Sequence, residues 1–250
     1  MKQESLESRM RALEYFHDLK LLPGAWAIVR VDGRSFSRLT SQKFEKPFDV
    51  RFHNMMVKTT EALFTELGAA YAYTESDEIS LLFAPSWDFC DREVEKIVSL
   101  SAGIASAHFA LASGVPAHFD SRIWMGATTA QVLDYFHWRM SDASRCALHG
   151  WCYWTLRNEG QDARQASKVL EGMTRSGKNE LLFERGINYN DLPLWQRRGT
   201  GFLWETYQKE GFNPQTGQHT TATRRRVKID ETLPMGDPYR AYLTTLVESC

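Results

Sequence analysis

Hydrophobic and polar positions alternate between strand-like and helix-like periods in the first half of the chain and become mostly helical in the second. From Gly24 the run "WAIVRVDG" reads as a strand ending at Asp32. A loop closed by "KPFD" follows, then a helix from about Val50. In that helix Phe52, Met55, Met56, Thr59, Ala62, Leu63 and Leu67 recur at a helical period, and Gly68 supplies the stop. Ala70 to Glu75 and Ile79 to Phe83 read as short strands joined by a tight connection that holds Asp77, and Pro85 ends the second. A helix is expected from about Glu93 to Ala112, with Val94, Ile97, Val98, Ile104, Ala105 and Phe109 on one side, and "FDSRIWMGATT" reads as a fourth strand.

Strand, helix, strand, strand, helix, strand is the order of the split βαβ, or ferredoxin-like, unit. The expected fold class is therefore α+β. In that topology the first two strands run in the same direction and the third lies between them in the opposite sense. The end of the first strand then sits beside the turn joining the second and third, and Asp32 meets Asp77 at one edge of the sheet. Two carboxylates brought so close repel each other unless a cation lies between them or one is protonated. Hard oxygen ligands beside Gly33, whose backbone a ligand can approach closely, suit Mg²⁺ held together with a substrate triphosphate. The same residues also suit a turn at Asp32-Gly33 and a hairpin cap at Asp77, and pattern alone leaves both readings open.

From about Ala130 the chain is mostly helical. "AQVLDYFHWRMSDASRCALHGWCYWTL" carries aromatics at helical spacing, as a core-facing helix does, and "ARQASKVLEGM" is a second amphipathic helix. "GTGFLWETYQ" reads as a strand returning to the fold, "NPQTGQ" as a turn, and "TATRRRVKID" as a strand with basic residues on an exposed face.

With 250 residues, 43% of them hydrophobic, the chain is long enough for one large domain or two modest ones. No apolar run reaches the roughly 18 residues of a membrane span, and the N-terminal "MKQESLESRMRALEYF" is charged and helix-like rather than signal-like. A cytoplasmic location without a membrane partner is expected. Cys90, Cys146, Cys152 and Cys250 are scattered without a C-x-x-C pair, which indicates neither a zinc site nor a disulfide framework. A formal net charge of −1 lacks the broad basic footprint of a nucleic-acid binder, so any polyanion site must be local.

Taken in order, "RVDGRSF", "FEKPFD", "AYTESDEISLLF", "FDSRI", "YFHWRMSDA", "KNELLFERGINYND" and "RRGTGFLWE" resemble the histidine tRNA guanylyltransferase family, particularly its guanylyltransferase-like branch. The likeness runs from about Trp26 to Trp204, and "TATRRRVK" is similar to the family's terminal basic strand. The resemblance implies a nucleotidyltransferase that extends the 5′ end of tRNA in the 3′-to-5′ direction. It implies a polymerase palm on the ferredoxin-like unit, with a palm-like catalytic domain over 1–135. A helical and basic-strand part over 136–250 would pack on the palm as a mostly helical C-terminal extension. It also implies two Mg²⁺ ions, ATP and GTP or other nucleoside triphosphates as substrates, tRNA as partner, and a homotetramer.

Residue by residue, the resemblance places the two metals on Asp32, the Gly33 carbonyl and Asp77, with Glu78 in the same acidic cluster and Lys46 near the activated 5′ end. It assigns Arg30, Lys46 and Arg122 to phosphates, the backbone of Gly33, Arg34, Ser35, Phe36 and Ser37 to a triphosphate cradle, Asp49 to the base, and Ser76 to nucleotide binding. Lys178, Asn179, Asn188, Tyr189 and Asn190 fall around a second nucleotide or the tRNA end, although "GINYND" also reads as a capped turn. Arg197, Arg198, Arg224, Arg225, Arg226 and Lys228 form the concentrated positive charge expected to meet tRNA phosphates.

This chain departs from the family at one informative place. The branch devoted to histidine tRNA carries His-Ile-Asn-Asn where Ser144, Arg145, Cys146 and Ala147 stand here. That favours template-dependent repair of 5′-truncated tRNA over dedicated guanylylation of histidine tRNA. Ser121 also replaces a family glycine. The competing readings are that dedicated guanylyltransferase, a nucleotidyl cyclase on the same palm unit, and a nucleotide- or RNA-binding module without catalysis.

Overall fold

A computed structural model of the chain describes residues 5–213, 218–248 and 250. After a short helix α1 (Leu6–Arg11), the order is β1 (Trp26–Gly33), α2 (Phe36–Lys43), α3 (Val50–Glu66), β2 (Tyr71–Glu75), β3 (Glu78–Phe83), α4 (Val94–Ser113) and β4 (Phe119–Gly126). Then come α5 (Thr129–Asn158), α6 (Ala163–Leu170), α7 (Arg175–Phe183), α8 (Leu194–Arg198), β5 (Thr200–Asn213), β6 (Gln218–Asp230) and α9 (Asp237–Glu248). The turn expected at "NPQTGQ" lies mostly outside the described residues.

The strands form one antiparallel sheet in the order β4-β1-β3-β2-β5-β6. β3 lies between β1 and β2 in the opposite sense, as the sequence pattern required. Alternation of side chains then gives the sheet two different faces. Ala27, Val29, Val31, Ala72, Ile79, Leu81 and Phe83 pack with α3 and α4 through Met56, Leu63, Phe64, Ile97, Ala105 and Phe109. Ile28, Tyr71, Tyr73 and Leu82 pack with α5 and α9 through Val132, Tyr135, Phe136, Tyr239 and Leu243. A separate cluster holds the far half of α5 against α6 and α7, through Leu148, Cys152, Leu156, Ala166, Leu170 and Leu182.

Some elements depart from the sequence pattern. The stretch after Gly33, read as loop, contains α2, of which only Phe36 and Thr40 are buried, too few for an apolar period to show. α7 and α9 are additional helices, and α9 buries Tyr239, Leu243 and Val247 at four-residue spacing. The expectation that no apolar stretch reaches membrane-span length needs correction. α4 is long and apolar enough by length and composition. Its side toward the sheet buries Ile97, Ser101, Ala105 and Phe109. Ser121 joins β4 to this helix, its hydroxyl accepting from that of Ser101 at 2.8 Å, which gives the replacement of the family glycine a structural consequence.

The entry to α4 depends on one buried cation. Cys90, Asp91 and Arg92 are all left-handed (φ 51°, 54° and 59°), each a conformation that L-residues disfavour by about 1–2 kcal/mol. Arg92 holds the turn in place by donating to the carbonyls of Trp87 (2.7 Å), Pro85 (3.3 Å), Leu22 (2.8 Å) and Ala25 (3.1 Å). Replacing Arg92 with Met leaves those carbonyls without their donor. It is expected to cost about 2–4 kcal/mol, read as a fall in the thermal midpoint of roughly 5–12 °C; an unchanged midpoint would show that the turn holds itself.

Candidate active site

The register of the sheet sets a row of carboxylates across four strand ends. Asp32 of β1 stands opposite Glu78 of β3 and opposite Asp120 of β4, and Glu78 stands opposite Glu75 of β2. Directly opposed residues share a face, so all four point to the side that carries α5. Two residues further along each strand, and so on the same face, Arg122, Arg30 and Ser80 form the next row. Asp77 sits in the two-residue turn between β2 and β3. The Gly33 N–H donates to the Asp77 carbonyl at 3.1 Å, which fastens the end of β1 to that turn and brings Asp77 beside Asp32.

Two serines with positive φ flank this junction, Ser35 at 62° before α2 and Ser76 at 53° in the turn. Such backbone strain in non-glycine residues gathers at functional sites. The Ser76 hydroxyl donates to Asp77 Oδ1 at 3.1 Å. Gly33 has a packing reason as well as the expected ligand-approach reason: a Cβ there would lie 2.5 Å from the Phe36 ring. That ring in turn packs on Phe52, Phe109 and Phe119, so Phe36 lends the junction its backbone while its side chain anchors α2 in the core.

Burial, and then the Asp32 charge, pushes Asp77 up to about 6. Glu75 is pushed up to about 8, first by burial and then by Glu78 and Asp77. Glu78 is raised by burial against the opposing pull of Arg139. Among the described residues no ion pair involves Asp32 or Asp77, whereas Glu78 is held by Arg139 in a two-pronged bond, Nε and Nη2 each 2.7 Å from a carboxylate oxygen. Arg30 stands 4.0 Å from the same carboxylate. Asp32 and Asp77 are thus two carboxylates that no ion pair holds among the described residues, with the Lys46 charge acting on Asp77 from further off. Its hard oxygens are of the type a divalent cation prefers. Among the described residues no group of three or more His, Cys, Asp or Glu could hold a metal by itself, so an ion here would complete its shell with backbone, substrate or water oxygens.

Beside the row on the β2 side opens a cavity of about 190 Å³. Glu75 and Ser76 line it together with the Phe44–Asp49 loop, Phe52 and His53 of α3, Cys146, Gly150 and Trp154 of α5, and Trp195 of α8. Its walls are aromatic: His53 stacks on Trp195 at 4.0 Å and Phe48 meets the same ring edge-on at 5.8 Å. Lys46 reaches into it, its ammonium donating to Thr40 Oγ1 at 2.6 Å. Burial lowers the Lys46 pKa, with the Asp77 charge opposing. Asp49 caps α3 and closes the loop, accepting from the Arg51 and Glu45 N–H groups (2.8 Å each) and from the Arg51 guanidinium. The Arg51 hydrogen bond holds its carboxyl well below the usual carboxylate range.

The remaining expected residues scatter. Arg122 is exposed and paired with Asp120 at 2.8 Å. Lys178 and Asn179 are half-buried on α7, the Asn179 amide donating to the Arg175 carbonyl. Asn188 caps a turn of 3₁₀ helix, its amide oxygen accepting from the Asn190 N–H, and Tyr189 is buried with its hydroxyl on the Ser144 carbonyl. Arg197 and Arg198 donate to the carbonyls of Leu192 and Leu233. On the β5–β6 hairpin Arg225 stacks over Trp204 at 4.4 Å, and Arg226 pairs with Glu205 at 2.6 Å and lies over Tyr207. Arg224 and Lys228 remain exposed on the same strand.

Sequence reasoning assigned no role to Glu75 and Arg139. Both carry a signal: Glu75 continues the inward alternation of Tyr71 and Tyr73, and Arg139 falls on the buried stripe of α5 that includes Tyr135, Phe136 and Met140. A charge on an apolar stripe requires a partner.

Three comparisons place the chain among known proteins. A sequence model of the family described as tRNA(His) guanylyltransferase (Thg1) matches residues 7–127, and that of the Thg1 C-terminal domain matches 130–235. A probable tRNA(His) guanylyltransferase of Dictyostelium discoideum is 32% identical over 223 residues, 84% of this chain and 86% of that protein. Bacterial tRNA(His) guanylyltransferase-like proteins solved in complex with ATP and with GTP superpose with TM-scores of 0.77 and 0.74, at 28% and 27% identity, each over 98% of this chain and 99% of its own.

The raised pKa of Glu75 carries a test. Between its ordinary value of 4.5 and about 8 the folded protein must keep a proton that the unfolded chain releases, so this group costs stability increasingly as pH rises through that window. Glu75→Gln should raise the unfolding free energy over wild type by a gain that is negligible near pH 4.5 and grows to the order of 1–2 kcal/mol by about pH 8 in metal-free buffer, read by denaturant unfolding at each pH. A gain independent of pH would rule out this titration.

Proposed function

The chain belongs to the tRNA(His) guanylyltransferase family of nucleotidyltransferases, and from that premise we propose that it adds nucleotides in the 3′-to-5′ direction, by template, to the 5′ end of truncated tRNA. The observation that carries the reading is the Asp32–Asp77 pair, fastened together by the Gly33–Asp77 hydrogen bond and held in no ion pair among the described residues. β4-β1-β3-β2 with α3 and α4 is read as a ferredoxin-like palm within 1–135, and 136–250 as the part packed on it.

In this reading an oxygen of the tRNA 5′-monophosphate attacks the α-phosphorus of ATP, releasing pyrophosphate and leaving a 5′-to-5′ anhydride. The 3′-hydroxyl of the incoming nucleoside triphosphate then attacks the tRNA 5′ phosphorus, forming a phosphodiester and expelling AMP. Two Mg²⁺ ions held by Asp32, the Gly33 carbonyl and Asp77 would lower the pKa of that hydroxyl and neutralise phosphate oxygens. The aromatic cavity beside Ser76 suits the base of the activating nucleotide, since pockets of that kind bind flat apolar surfaces between a few polar groups. Lys46, at the cavity's edge and in the field of Asp77, suits the phosphates between them. The Gly33–Ser37 backbone opens α2 with exposed Arg34, Ser35 and Ser37 and suits the triphosphate. A homotetramer and a cytoplasmic location complete the proposal.

Template dependence is supported by Ser144–Ala147, which bring none of the side chains of a His-Ile-Asn-Asn segment to this stretch of α5. Ser144 is buried, and Cys146 and Ala147 line the cavity. Dedicated guanylylation of histidine tRNA is the second reading, favoured by the names of the relatives.

Two outcomes test the proposal. Asp77→Ala should lower nucleotide addition roughly a thousandfold or more while leaving the thermal midpoint unchanged or raised, because one of two repelling carboxylates is gone. Near-normal addition would remove the metal reading. In the second, tRNAs lacking their first nucleotide are offered each nucleoside triphosphate while the opposing base is varied. Changing C to A, G or U should switch the favoured addition from G to U, C or A on several tRNAs. Addition of G regardless of the opposing base, and only to histidine tRNA, would establish the dedicated reading instead.

A further inference from the structure

Trp138 is 52% exposed although it lies on α5 between buried residues, with Met140 2% and Phe136 0% exposed. Its ring is fixed from beneath. The Arg139 guanidinium lies 4.6 Å and that of Arg30 5.7 Å from the ring centroid, and the Tyr135 ring meets it edge-on at 5.8 Å. Both guanidiniums also approach the Glu78 carboxylate, so they share the inner face of the indole and leave its outer face to solvent. Glu78 stands opposite Asp32 in the sheet. The open indole face is therefore one carboxylate removed from the Asp32–Asp77 pair, on the β1 and β4 side. The aromatic cavity lies on the other flank, along β2 and the Phe44–Asp49 loop.

We infer that Trp138 is the stacking platform for the nucleobase at the 5′ end of the acceptor stem. The inference rests on the tRNA reading above and deepens it. A 5′ phosphate held at the carboxylate pair puts its own base one ribose away, and on this flank Trp138 offers an exposed aromatic ring beside Arg30 and the Arg139–Glu78 pair. The cavity encloses a ligand on several sides, which suits a free nucleotide. Trp138 offers a single flat face open to solvent, which suits the end of a helix whose last base pair is itself a flat, exposed surface. Cations against the inner face immobilise the indole, so little side-chain freedom remains to be lost on stacking. Arg122 of β4, opposite Arg30 of β1, is exposed next to the platform, and a phosphate there would have to take its guanidinium from Asp120, which it meets at 2.8 Å. Trp138 is thus a positioning residue: it holds the terminal nucleotide in register with the reacting phosphate without touching the reacting atoms.

The test measures binding of two 5′-monophosphorylated tRNAs that differ at the first nucleotide, one bearing its base and one abasic, to the wild-type protein, Trp138→Phe and Trp138→Leu. The wild type should bind the base-bearing RNA about tenfold more tightly than the abasic one, in line with base–aromatic stacking. Trp138→Leu should lose that difference by weakening only the base-bearing RNA, Trp138→Phe should keep about a threefold difference, and the affinity for ATP should not move in either variant. The assignment is overturned if Trp138→Leu keeps the difference, if it weakens both RNAs equally, or if it changes the protein's oligomeric size, which would mark the face as a contact between copies. Wild-type binding that ignores the base overturns the platform alone. Absence of binding to either RNA overturns the tRNA reading with it.

Discussion

Like charges placed directly across a sheet repel, and here the register sets Asp120, Asp32, Glu78 and Glu75 side by side across four strands, with Asp77 at the adjoining turn. Much of the architecture around the strand ends answers that repulsion. α5 crosses the sheet so that Arg139 meets Glu78 with both prongs of its guanidinium. Arg30 adds a second positive charge from β1, and Arg122 takes Asp120. Burial leaves Glu75 holding its proton to about pH 8. What remains is Asp32 and Asp77, held beside each other by the backbone bond from Gly33 and without an ion-pair partner among the described residues. A pair maintained in that state is costly to the fold and available to a ligand.

The same long helix that neutralises Glu78 also separates the two flanks of the site. Near its start Tyr135, Trp138 and Arg139 cover β1 and β3, and two turns further on Cys146, Ala147, Gly150 and Trp154 form a wall of the aromatic cavity. Anything bound on either flank is thereby referred to one rigid element. The strained serines act at a smaller scale. Ser35 turns the chain from β1 into α2, and Ser76 turns β2 into β3. Both conformations persist because packing on either side fixes them: Phe36 in the aromatic cluster, and the paired strands around the turn.

Positive charge is distributed differently from what a run of arginines conveys. Arg197 and Arg198 serve backbone carbonyls, Arg225 covers Trp204, and Arg226 is committed to Glu205 and Tyr207. β2 pairs with β5 only as far as Leu203, while β5 and β6 continue together to Asn213 and Gln218. The hairpin therefore leaves the sheet as a two-stranded arm, stiffened by these cross-strand contacts. Arg224 and Lys228 are exposed on this arm beside Arg225 and Arg226, whose guanidiniums are also exposed but already engaged.

By itself, the sequence determined the order of the core elements and the meeting of Asp32 with Asp77. Period-2 runs bounded by Gly and Pro, and apolar residues at helical spacing, are local signals, and the split βαβ order leaves one arrangement in which the two turns coincide. α2 was not legible, because two buried residues make no period. Membrane-length apolarity in α4 was not recognised, because buried and exposed apolar positions are interleaved along it. The carboxylate row, the Arg139–Glu78 clasp, the cavity shared by the Phe44–Asp49 loop and α5, and the engagement of Asp49 by Arg51 were decided only by the tertiary structure. Each depends on which residues of distant elements face one another, and the register between strands and the path of a helix across a sheet are fixed by packing that no short window of sequence contains.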